Sequence, residues 1–157
     1  MVTSGSNLFA NQRETNLSST IALVEAVLSE LGHPPSKSRI NDPAALHAWQ
    51  IPKGSALTRV MLLNRTEFTH FRVCAVVMTL TPKVDRPALH AHLLELNATL
   101  SGAAFATSGD QVLLLSERST LDLDKSEVLD LIRRVSTVAD DHDDVLVARF
   151  GGTLGVV

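Results

Sequence analysis

The sequence predicts an α+β domain in the order α-β-β-β-α-β-β-α, with helices packed on an antiparallel sheet. Three observations carry this. Apolar residues recur at helical spacing in three stretches, near 21–31, 89–100 and 128–146. Three strand-like runs with short polar connections separate the first two stretches and read as a meander. Two short apolar runs flanking Ser108-Gly109-Asp110 separate the last two and read as a hairpin.

The 157 residues suit a single domain, divided as a flexible arm (1–16), one folded unit (17–150) and a tail (151–157). A hydrophobic fraction of 45% with 20% charged residues is a globular composition. Five Phe, one Trp and no Tyr leave few stacking platforms, and a net charge of −3 offers no broad phosphate-binding surface. Nucleic acid is therefore not an expected partner. The single Cys74 excludes an internal disulfide and a multi-cysteine zinc site, and fits a reducing compartment. No basic segment followed by an apolar core opens the chain, and no apolar run approaches the roughly 20 residues that span a bilayer. A cytoplasmic protein without a membrane partner is the expectation.

The arm is rich in Ser, Asn, Thr and Gly, with Leu8 and Phe9 as its large apolar residues. The first helix is read from a cap at Ser18 or Ser19, because a serine hydroxyl accepts from a free first-turn amide. Ile21, Val24, Leu28 and Leu31 form its stripe; Gly32 and Pro34-Pro35 stop it. Strands follow over 46–51, 57–63 and 68–80. In the second, Leu57, Met61 and Leu63 oppose Val60 and Leu62. In the third, Phe71, Val73, Ala75 and Val77 oppose Cys74, Val76, Met78 and Leu80. Apolar side chains on both faces require cover on both.

Asp85 with Pro87 starts the middle helix, whose stripe is Leu89, Leu93, Leu96 and Leu100. This stripe serves equally as core or as a dimer face. The hairpin spans 103–117. Asp124 and Glu127 form a capping pair for the longest helix. Its stripe comprises Val128, Leu131, Ile132, Val135, Val138, Ala139, His142, Val145 and Leu146.

No catalytic motif is present: the Ser-rich pieces and Gly151-Gly152 match neither a nucleophile elbow nor a phosphate loop. The run Asp140-Asp141-His142-Asp143-Asp144 invites a metal or small-ligand reading, but only residues three or four apart converge on a helix. A solvated acidic helix end is the simpler account. His90 and His92 diverge on their helix, and Cys74 reads as a buried thiol. No catalytic residue, cofactor or metal ligand is expected.

The piece Leu93-Leu94-Glu95-Leu96-Asn97, then Phe105, Gly109-Asp110, Val112-Leu113-Leu114 and a long helix with Ala139-Asp140, resembles the YbjN family of bacterial sensory-transduction regulators. The resemblance covers residues 18–150 and implies a fold similar to type III secretion chaperones. It implies a non-enzymatic homodimer that binds a segment of a client protein. Carried over by position, the dimer face would be Leu89, Leu93, Leu96 and Leu100, and the client-binding surface would include Val60, Leu62 and Phe71. A structural subunit of a larger assembly is the other non-enzymatic reading.

Overall fold

The computed structural model describes the backbone of residues 5–155 and the side chains of residues 11–155. Helix α1 (Gly5–Glu30) and a single turn α2 (Pro35–Ser38) lead into strands β1 (Arg39–Ile40), β2 (His47–Lys53), β3 (Ala56–Asn64) and β4 (Thr69–Thr79). Helix α3 (Arg86–Asn97), strands β5 (Ala104–Ser108) and β6 (Gln111–Ser119), helix α4 (Lys125–Phe150) and strand β7 (Thr153–Leu154) follow. The sheet runs β1-β2-β3-β4-β6-β5 with every neighbour antiparallel, and β7 pairs with the end of β4. The α+β class and the order of the main elements are those read from the sequence; α2, β1 and β7 are additional.

Caps act as their chemistry dictates. Asp85 accepts from the Ala88 amide at the start of α3, and Asp124 and Glu127 form a reciprocal capping box on α4. Helix α1 begins well before Ser18. Residues 1–4 of the expected arm lie outside the described residues, and from Gly5 the backbone is helical. No Gly or Pro interrupts 6–30. Two polar contacts hold this early part down: Arg13 donates to Asn64 Oδ1 and, at 2.9 Å, to the Arg65 carbonyl, and the Thr120 hydroxyl donates to Asn16 Oδ1 at 2.7 Å.

Helices α1, α3 and α4 bury one face of the sheet. That core joins Val24, Val27 and Leu28 of α1, Leu89 and Leu93 of α3, and Val128, Ile132, Val135, Ala139 and Leu146 of α4 to Trp49, Val60, Phe71, Val73 and Leu114. Expected members of the α4 stripe differ at one turn: Val145 is 57% exposed, whereas Asp143 is buried. The cause is the β2–β3 turn, where the Ser55 hydroxyl donates to Asp143 Oδ2 at 2.8 Å and the Ser55 amide to Asp140 Oδ1 at 3.0 Å. The acidic run is thus partly a latch rather than a wholly solvated end.

The second face is covered only in part. Ala48, Met61 and Leu63 make a small cluster with Ile40 and Ala45. Cys74 packs against this cluster, and beyond it Leu57, Val76, Leu113 and Leu115 stand half-buried. Met78 and Leu80, expected beside Cys74 and Val76, lie instead in the main core with Val77. A bulge between Val76 and Met78 explains this: the extra residue re-aims the rest of β4 to the opposite face.

Candidate protein-binding surfaces

Three surfaces combine exposed apolar groups with unspent polar ones. The first is a hollow of about 590 Å³ between α1 (Gln12, Arg13, Asn16), the β3–β4 turn (Glu67, Phe68, Thr69) and Leu121. Phe68 and Leu121 are 41% and 42% exposed there. Among the described residues, α1 reaches this end of the sheet through Arg13 and Asn16, polar side chains that bond at the rim. Thr69 Oγ1 is buried without a partner among the described residues.

The second surface is a groove of about 210 Å³ between α3 and the edge of β5, lined by His90, Leu93, Leu94, Asn97, Phe105 and Thr107. Leu94 is 69% exposed beside it. Asn97 accepts from the Phe105 amide at 2.7 Å and donates to the Phe105 carbonyl at 3.1 Å. The Phe105 backbone therefore faces away from β6. By the two-residue alternation of an antiparallel ladder, the Thr107 amide and carbonyl face the same open side. An edge with free donors and acceptors is a template for a further strand.

The third is the partly covered sheet face. Glu117 is its hub, accepting from Arg65 Nε at 2.9 Å and Arg72 Nε at 2.5 Å, with His70 Nδ1 at 3.0 Å. Partial burial pushes the Glu117 carboxyl upward, but the hydrogen bonds and charges of Arg65 and Arg72 outweigh it and hold it at about 2. Cys74 lies on this face with its Sγ 4.0 Å from Met61 Sδ. Burial raises its thiol above the ordinary range, so it is held as a neutral, weakly nucleophilic group.

The positions expected to bind partners lie elsewhere. Val60, Leu62 and Phe71 are 0% exposed beneath the helices, so a client segment has no access to them. Leu89 and Leu93 are 0% and 4% exposed, and Leu96 and Leu100 are half-buried against the same core. The leucine stripe covers this chain's own sheet, because α3 turns it inward and leaves His90 and Leu94 outside. The second sheet face had a signal in the sequence, the apolar residues on both sides of the strands expected over 57–63 and 68–80; Phe68 stood only as the first residue of the latter, and Leu121 lies in a loop without periodicity.

Asp140 and Asp143 are turned onto Ser55, while the His142 ring packs edge-on against Phe105 with its centroid 5.6 Å away. Among the described residues no three His, Cys, Asp or Glu side chains gather as metal ligands. Nor, among them, is any helix long and apolar enough to cross a membrane.

Known proteins with this architecture include type III secretion chaperones. A chain of the ExsC–ExsE complex superposes with a TM-score of 0.59 at 14% identity, over 82% of this chain and 94% of that one. The HopA1–SchA chaperone–effector complex gives 0.55 at 12% identity, over 90% and 98%. The Yersinia pestis chaperone SycH, solved with a stable fragment of YscM2, gives 0.50 at 18% identity, over 80% and 97%. At such identities the likeness is one of fold. No curated protein sequence matches the chain. Residues 19–156, nearly the whole folded unit, match the family model described as T3SS (YopN, CesT) and YbjN peptide-binding chaperone 1, and the chain belongs to that family.

Proposed function

We propose that this chain is a non-enzymatic chaperone-like module that acts as a homodimer and holds a segment of a client protein. The observation that carries the reading is the hollow beside Phe68 and Leu121. It is open, mainly apolar and about 590 Å³ in volume, enough for two or three large side chains of a bound segment. The peptide-binding description of the family supports it, as do architectural relatives solved as chaperone–effector complexes. The client surface so drawn combines the first helix with the meander, as the resemblance implied, but through exposed residues rather than Val60, Leu62 and Phe71.

The groove between α3 and β5 suits the second copy. It offers the exposed Leu94 and the outward backbone groups of Thr107, which a symmetric partner can meet with the same patch.

Peptides selected from a random display library on the folded chain test the reading. Phe68→Asp and Leu121→Asp, both at exposed sites, should leave the thermal melt unchanged and weaken the selected peptides by about tenfold or more. Wild-type affinity in both folded variants would remove this hollow from the function.

A further inference from the structure

The partly covered face of the sheet carries a chemical preference of its own. Among the described residues, Arg59, Arg65 and Arg72 face Asp42 and Glu117 there, a local excess of positive charge in a chain whose net charge is −3. Arg65 and Arg72 are spent on Glu117. Arg59 is not: among the described residues its one hydrogen bond is a long 3.4 Å contact from Nη1 to Asp42, and its Nε is buried without an acceptor. A guanidinium has five donors in a planar fork, so most of the capacity of Arg59 is unused. The side chain remains 33% exposed and, with Arg72, walls a hollow of about 220 Å³ on this face.

The strand register supplies the rest. Arg59 pairs with Cys74, and Arg72 stands one row away opposite Met61. On the other side of Arg59, Leu57, Val76 and Leu113 present an apolar row two residues along the strands. Two residues of extended chain span about 6.6 Å, the same as the spacing between side chains on one side of a bound strand.

We propose that this face docks an extended acidic segment of another protein. One carboxylate enters the hollow between Arg59 and Arg72, and the side chain two residues on, an apolar one, lies over Leu57, Val76 and Leu113. The inference rests on the peptide-binding reading above and adds to it a partner chemistry, acid-x-apolar, and a second station on the molecule. The carboxylate takes the free donors of Arg59 as charge-assisted hydrogen bonds, and the like-charged lysine counterpart is repelled.

The random-peptide selection on folded wild-type chain decides it. The expected result is enrichment of Asp or Glu two residues before Leu, Ile, Val or Phe. A synthetic copy of the best peptide should bind about tenfold more weakly to Arg59→Gln, and equally so when its own acid is changed to the amide. The peptide-side change leaves the protein untouched, and Arg59→Lys, which keeps charge but loses the fork, provides a milder protein variant. Selected peptides without acids, or indifferent to both changes, overturn the acidic preference while leaving peptide binding intact. A folded chain that enriches no peptide overturns the peptide-binding reading and this inference with it.

Discussion

The side-chain amide of Asn97 makes the two hydrogen bonds to Phe105 that a neighbouring strand would make, accepting from its N–H at 2.7 Å and donating to its C=O at 3.1 Å. One helix residue thus closes one position of the β5 edge and fixes α3 against the hairpin. Asn97→Leu should leave the outward N–H and C=O of Phe105, partly buried under α3, without these partners and destabilise the fold by about 1–3 kcal/mol. Urea denaturation measures this, and amide exchange should accelerate first at Phe105.

Adjacent leucines of α3 should behave in opposite ways. Leu93→Asp places a carboxylate at a 4%-exposed core site and should unfold the chain or cost about 3–5 kcal/mol. Leu94→Asp, at a 69%-exposed site, should leave the melt unchanged and convert the proposed homodimer to a monomer in light scattering. A folded dimer of Leu94→Asp removes the α3–β5 groove from the assembly.

Glu117 should make stability acid-sensitive. Its folded carboxyl is held at about 2 against an ordinary value of 4.5. A carboxyl depressed in the folded state binds protons more readily when unfolded. Its contribution is therefore fully present above pH 4.5 and is lost as pH falls toward 2, amounting to at most about 3 kcal/mol. Glu117→Gln should flatten the stability curve in that window while leaving other acid-sensitive groups to act. Equal slopes for variant and wild type would refute the assignment.

The turn latch on α4 gives a fourth expectation. Gly54 has φ +54°, and a Cβ built there would lie 1.9 Å from Asp140 Oδ1. Gly54→Ala places a side chain at positive φ and pushes the Asp140 carboxylate off the Ser55 amide, and should destabilise by about 1–3 kcal/mol. Asp143→Asn, which retains an acceptor for the Ser55 hydroxyl, should cost less than Asp143→Ala; paired thermal melts compare them.

Much of this architecture was legible because its signals are local. Asp85, Asp124 with Glu127, and Gly109-Asp110 mark element ends by chemistry that acts over two or three residues. The partly covered sheet face was legible in the same way, from apolar residues on both sides of its strands, but the surfaces at Phe68 and Leu94 were not, for the opposite reason. Periodicity finds stripes that bury apolar residues, and Leu89, Leu93, Val60, Leu62 and Phe71 carry the strongest stripes in the chain. They are accordingly core. A docking residue such as Phe68, expected as the first residue of the third strand, shows its exposed setting only when α1, the β3–β4 turn and Leu121 meet. The early reach of α1 was likewise hidden, since Ser, Asn and Gln within residues 5–16 read as loop until Arg13 and Asn16 find partners about 50 and 104 residues away.

The extra residue at Val77 has a consequence for length. Without it, Met78 and Leu80 would extend the line of Cys74 and Val76 by four residues, about 13 Å of strand. With it, the apolar part of that line ends at Val76, and the polar Thr79, opposite Gln111, takes the next place on this face. The bulge acts as a ruler for the apolar surface on this face: from Arg72 to Val76 that surface runs alongside five residues of one extended strand.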